Sequence, residues 1–129
     1  MTSSRPTGGT LFLSQLFAVS GVIHLVRPQV FESMVPAPIP AREAVWVSGV
    51  AELACAAGLL LPPTRRVSGM ASTALLVAVL PANVKMAGDA WRLRRRTSSG
   101  SVRVGATVAR LPLQWPLIRL AWRAARGRG

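Results

Sequence analysis

Residues 45–61 read VWVSGVAELACAAGLLL, an apolar run in which Glu52 is the only charged residue. A run of this length indicates a membrane-spanning helix. A carboxylate deep inside such a helix is costly in lipid, so it usually faces a bundle interior or a wet cavity and has a partner there. The stretch therefore predicts a membrane fold with a polar position inside it.

Composition and charge separate two classes of basic protein. The chain has 129 residues, 50% of them hydrophobic, with a formal net charge of +12. That length permits a single domain, residues 1–129. Nucleic-acid binders collect basic residues on one face or stripe, whereas these arginines border apolar runs, as in membrane proteins. We therefore expect a lipid bilayer as the partner and no nucleic acid.

Apolar segments recur along the chain, so we predict an all-α integral membrane protein, a bundle of four helices in up-down topology. The predicted spans cover residues 10–27, 43–62, 67–88 and 111–125. Pro81 falls in the last third of the third span and predicts a kink, because proline lacks the N–H that a helix uses. The fourth span is short and carries Pro112, Pro116 and Arg119, so a shallow or partly interfacial position is also open.

The connection after the first span is rich in proline. Residues 28–40, PQVFESMVPAPIP, cannot form one continuous helix. Their apolar side chains favour an interfacial or re-entrant segment that packs over the end of the bundle, with Phe31 and Met34 turned inward.

The connection before the fourth span is basic. Residues 90–105 combine arginine with serine and glycine, which predicts a juxtamembrane loop. We expect lipid headgroups to contact the arginines at its start. These are Arg92, Arg94, Arg95 and Arg96.

Polar residues of all four spans fall in the same half of the predicted bundle. Glu52 lies about nine residues into the second span, ~13 Å deep at a rise of 1.5 Å per residue, and Ser48 is one turn shallower on the same face. We predict a ligand pocket around Glu52. Its residues are His24, Ser48, Glu52, Asn83, Arg110 and Gln114. The alternative is that these side chains only cross-link helices or reach the interface.

Two kinds of chemistry find no support. His24 is the only histidine and Cys55 the only cysteine. One imidazole with one carboxylate falls short of the usual metal-ligand set, so we predict no metal site. A single cysteine cannot form an internal disulfide or a dithiol pair.

Five short stretches in a fixed order resemble the DoxX-like family of small bacterial membrane proteins, over most of the chain from about Leu11 to Trp122. They are GVIHLVRP at 21–28, SGVAEL at 48–53, LPPTRR at 61–66, PANV at 81–84 and RLPLQ at 110–114. The resemblance implies a multi-pass protein of the bacterial inner (plasma) membrane. It also implies an accessory or subunit of a quinone- or thiol-linked redox system, not catalytic alone, beside a membrane or soluble redox partner and with quinone as a candidate cofactor.

Two other functions fit the residues. A carboxyl group in lipid can exchange a proton for a cationic substrate, as in a small proton-coupled transporter acting as a homodimer. A membrane scaffold without a ligand would use the polar layer only to fix helix packing.

Overall fold

The computed structural model describes residues 5–93 and 100–128, without the side chains of residues 93, 100–108 and 110. Within this part the chain is all-α, as predicted, and contains no strand. The helices are α1 (Gly8–Val26), α2 (Gln29–Glu32), α3 (Ala41–Leu60), α4 (Arg65–Ala78), α5 (Leu80–Leu93) and α6 (Gly100–Ala125).

Three helical segments of the described part are long and apolar enough to cross a membrane. They are Gly8–Val26, Ala41–Leu60 and Arg65–Arg92, the last of which joins α4 to α5. Their length and composition indicate a membrane protein. α6 is not among these segments.

Local signals account for the ends of α1 and α3. Thr7 caps α1, because its side-chain oxygen accepts a hydrogen bond from the Thr10 N–H at 3.3 Å. α3 ends ahead of Pro62 and Pro63. The buried Arg65 then donates from Nε to the Leu59 carbonyl at 2.9 Å. A guanidinium at this place satisfies a carbonyl at the end of the helix and complements its dipole.

The predicted kink at Pro81 is confirmed as a break in the helix. α4 ends at Ala78 and α5 begins at Leu80. Proline has no N–H, so the carbonyl of Val77, four residues before it, has no regular helical partner. Val79 joins the two helices, because its N–H bonds to the Leu75 carbonyl at 3.0 Å and its carbonyl accepts from the Asn83 N–H at 3.1 Å.

The predicted loop at 90–105 is wrong in its extent. α5 continues to Leu93, and α6 begins at Gly100, eleven residues before the predicted fourth span. Ala, Arg and Leu are good helix formers, so the basic character of residues 90–93 does not end α5. Serine and glycine lower helix propensity by about 0.5–1 kcal/mol each, which weakens a helix without forbidding it.

Four helices contact one another in a closed order: α1 with α3, α3 with α4, α4 with α6, and α6 with α1, while α5 also lies on α6. Small residues bring the backbones together. A Cβ on Gly69 would collide with the backbone of Ala125, and a Cβ on Gly58 with the Ser68 hydroxyl. The core formed here, which we call the apolar half, contains Leu13, Phe17, Cys55, Ala56, Leu59, Leu76, Ala121 and Ala124.

Candidate functional site

A glycine crossing between α1 and α3 positions the two titratable residues of the site. A Cβ on Gly49 would lie 2.8 Å from the His24 Cβ and 3.0 Å from the Gly21 carbonyl oxygen. Only glycine allows the helices to pass this closely without a shift. His24 and Glu52 each follow one of these glycines by three residues, so the crossing brings them face to face.

His24 and Glu52 are close, and their hydrogen bonds differ. His24 Nδ1 lies 3.4 Å from Glu52 Oε2 and 2.6 Å from the Ser20 carbonyl oxygen. A carbonyl oxygen can only accept, so Nδ1 carries a proton and its N–H donates a hydrogen bond to the Ser20 carbonyl. Glu52 Oε2 and the hydroxyl of Ser48, one turn away, are buried and have no hydrogen-bond partner. The side of the site formed by α1 and α3 therefore presents a carboxylate oxygen and a hydroxyl group that have no hydrogen-bond partner.

The proline-rich segment, residues 28–40, covers the end of the molecule that holds His24 and Glu52, as the sequence predicted. The Phe31 ring stacks on the His24 imidazole, with centroids 4.0 Å apart and an angle of 3° between the planes. Lys85 Nζ on α5 donates to the Ser33 carbonyl at 2.8 Å, and this hydrogen bond links the segment to α5. Phe31 and Met34 both line the interior.

The opposite wall of the site, formed by α5 and α6, carries two side-chain amides that are hydrogen-bonded to each other. Asn83 Nδ2 donates to Gln114 Oε1 at 2.6 Å, and Gln114 Nε2 donates to the Leu76 carbonyl at 2.7 Å. Leu76 lies just before the break between α4 and α5. The network thus connects α5 to α6 and satisfies a backbone carbonyl near that break.

A cavity of about 580 Å³ separates the two walls, and we call this part of the molecule the cavity half. The polar wall groups described above lie among apolar side chains from α1, from the proline-rich segment and from α6. Typical small-molecule sites have volumes of ~300–1,000 Å³ and mostly apolar walls with a few polar groups. The arrangement is that of a binding cavity for a lipophilic molecule with a polar end.

Five of the six residues predicted for the pocket line this cavity: His24, Ser48, Glu52, Asn83 and Gln114. Arg110 belongs to α6, but its side chain is outside the described part. Among the predicted headgroup contacts, Arg92 is exposed, and residues 94–96 lie outside the described residues.

Sequence reasoning missed three contributors to the site. Ser20 holds the His24 ring, Leu76 offers the carbonyl that Gln114 reaches, and Phe12 lines the cavity from α1. Ser20 precedes His24 by one turn, and that spacing was a usable signal. Nothing in the sequence singles out one leucine carbonyl or one phenylalanine.

The described residues contain no group of three or more His, Cys, Asp or Glu side chains that could hold a metal ion. The titratable side chains described along the cavity are the Glu52 carboxyl group and the His24 imidazole, and these two can take part in acid–base chemistry there. Both are also suitable partners for a polar group on a ligand.

The fold and the site define a helical membrane protein with a polar-ended internal cavity. Residues 13–125 match the family described as "Domain of unknown function (DUF8561)", and the chain belongs to this family. No curated protein and no solved structure matches the chain.

Proposed function

We propose that the protein is a DoxX-like accessory component of a membrane redox system that holds a lipophilic ligand, quinone-like or lipid-like, in its cavity. The observation that carries the proposal is the cavity of about 580 Å³ with apolar walls and the His24–Glu52 pair at one end. A polar group at the end of an apolar site fixes the orientation of such a ligand.

The proposal includes a membrane arrangement. In it, α6 crosses as the fourth span, and the helices form an up-down bundle in a bacterial inner membrane. The closed order of contacts among α1, α3, α4 and α6 supports this arrangement. Residues 111–125 of α6 are apolar apart from Gln114, Arg119 and Arg123, and the two arginines lie towards the chain end, where long side chains reach the interface.

Native mass spectrometry of the protein released from lipid nanodiscs tests the proposal. We expect a co-purifying lipophilic molecule and, after gentle solubilisation, an oxidoreductase in the same preparation. Glu52→Gln should lower the bound fraction. Glu43→Gln is the matched control, because it removes the same group from the same helix at an exposed position. A wild-type protein without any bound molecule or redox partner would contradict the proposal.

A proton-coupled transporter acting as a homodimer is the second candidate. The observation in its favour is the buried Glu52 Oε2, which has no hydrogen-bond partner and lies in a cavity that a substrate could occupy. Substrate-dependent release of protons from the purified protein, absent in Glu52→Gln, would favour transport over the accessory role. If Glu52→Leu leaves the function of the protein in the cell unchanged, the result would instead favour a membrane scaffold without a ligand.

A further inference from the structure

The polar atoms without partners on the wall formed by α1 and α3 can accept hydrogen bonds from a ligand. Glu52 Oε2 has no hydrogen-bond partner, and its side chain is only 10% exposed. The nearest imidazole N–H, on His24 Nδ1, is already directed to the Ser20 carbonyl at 2.6 Å. A carboxylate accepts hydrogen bonds and offers none, and the Ser48 hydroxyl can accept as well. A ligand that satisfies this wall brings its own N–H or O–H groups.

The charge of the cavity points to a cation. Among the described side chains that line it, Glu52 is the only acid, and no lysine or arginine is present. The one basic group among them is the His24 imidazole, whose Nδ1 lies 3.4 Å from Glu52 Oε2 but only 2.6 Å from the Ser20 carbonyl oxygen. A buried carboxylate is stabilised far more by an opposite charge than by a neutral donor. An ammonium group supplies that charge together with three donors.

The remainder of the cavity suits an alkyl chain that arrives from lipid. α1 meets α6 at Gly9, where a Cβ would lie 2.6 Å from Leu120 Cδ2. Further along the two helices, Phe12 and Leu113 line the cavity and are 54% and 60% exposed. We infer that the cavity opens towards the bilayer between α1 and α6, because both helices place a large, well-exposed apolar side chain along it. An apolar chain can enter there without crossing water.

We propose that the cavity binds a lipophilic primary amine. Its ammonium group donates to Glu52 Oε2 and the Ser48 hydroxyl, and its chain lies along Phe12 and Leu16 towards the opening between α1 and α6. The inference rests on the proposed function, since both place a ligand in this cavity. It selects a lipid-like cation over a quinone, because quinone carbonyls only accept hydrogen bonds.

Titration calorimetry in an uncharged detergent, with dodecylamine and dodecanol as probes, tests this inference. The two molecules share one chain and differ in the charge of the head. We expect the wild-type protein to bind dodecylamine at least about tenfold more tightly than dodecanol, because a charge-assisted hydrogen bond is stronger than a neutral one. Glu52→Gln should abolish this preference and retain dodecanol binding. Glu43→Gln should keep the preference.

A second variant protects the test against misfolding. Ser48→Ala leaves the carboxylate in place and should reduce the preference for the amine only in part. Equal binding of amine and alcohol by the wild-type protein, or a preference that persists in Glu52→Gln, would overturn the inference.

A third probe separates the two proposals. If a short-chain quinone binds the wild-type protein and dodecylamine does not, the inference fails and the proposed function stands. If no probe binds, both fail.

Discussion

The apolar half and the cavity half of the same helices are built differently. In the apolar half, Gly58 and Gly69 bring α3, α4 and α6 into backbone contact, and Leu13 and Leu59 fill the remaining space. In the cavity half, α1 and α3 also cross on glycines, but a volume of about 580 Å³ stays open beyond them. Close packing at one end thus supports an open site at the other.

This difference separates stability from function. Helices in lipid associate largely through van der Waals packing, which the apolar half provides. The cavity half holds two buried polar groups without partners, Glu52 Oε2 and the Ser48 hydroxyl, whereas the hydroxyl of Ser72 on α4 is the one such group described away from the cavity. Unsatisfied groups are destabilising, and natural proteins retain such groups where function requires them. The two halves should therefore respond differently to substitution.

The largest loss of stability should come from the apolar half. Gly69→Ala places a methyl group against the Ala125 backbone, which cannot move like a side chain. We expect the free energy of unfolding to fall by ~1–3 kcal/mol, as for other overpacked cores. Chemical denaturation in detergent micelles measures it. Gly88→Ala is the control, because a Cβ there meets nothing within 4 Å. Equal effects of the two substitutions would contradict close packing of α4 on α6.

The amide network should matter more through Gln114 than through Asn83. Gln114→Leu removes both hydrogen bonds and leaves the Leu76 carbonyl without its side-chain partner. We expect a loss of ~1–3 kcal/mol, the cost of an unsatisfied buried group. Asn83→Leu removes one bond and leaves only Gln114 Oε1 without its partner, while the bond from Gln114 to the Leu76 carbonyl remains, so it should cost less than Gln114→Leu. The same denaturation assay compares them, and a reversed order would refute the network.

The stacked ring that covers the cavity should have a moderate effect. Phe31→Ala removes the contact with the His24 imidazole, and we expect a loss of about 0.5–1.5 kcal/mol. Hydrogen exchange across residues 28–40 should become faster. Val30→Ala changes an exposed neighbour in the same short helix and should leave exchange unchanged. Unaltered exchange in Phe31→Ala would show that the ring does not hold the segment.

The smallest effect on stability should come from the most polar residue. Glu52→Leu replaces a buried carboxylate, one of whose oxygens has no hydrogen-bond partner, with an apolar side chain. We expect the free energy of unfolding to stay within about 0.5 kcal/mol or to rise, while ligand binding is lost. Unfolding and binding measured on one preparation test both parts. A loss above about 3 kcal/mol would instead indicate a structural ion pair with His24.

The sequence was sufficient for the first two predicted spans. The range 10–27 overlaps α1, 43–62 overlaps α3, and the break near Pro81 follows from its missing N–H. The prediction was least accurate for α6, because the basic and Ser/Gly-rich residues at its start resembled a loop. Propensity differences of a fraction of a kcal/mol per residue cannot set a helix end when neighbouring segments also contribute.

The candidate site divides in the same way. Depth along each helix was enough to bring His24, Glu52, Asn83 and Gln114 to one level, because rise per residue is constant. Depth alone could not say that Asn83 would pair with Gln114 or that Phe31 would stack on His24. Those contacts depend on how each helix is rotated and how the proline-rich segment folds back.

The sequence by itself determined that the protein is helical and suited to a membrane, because long apolar runs have few other stable forms. It also determined the level of the polar layer. Only the tertiary structure decided which polar groups are satisfied and which remain free. The crossing at Gly21 and Gly49 sets Glu52 opposite His24, and the Ser20 carbonyl accepts the hydrogen bond from the imidazole N–H. Hydrogen-bond partners are chosen by distances of tenths of an ångström, which arise only when helices pack.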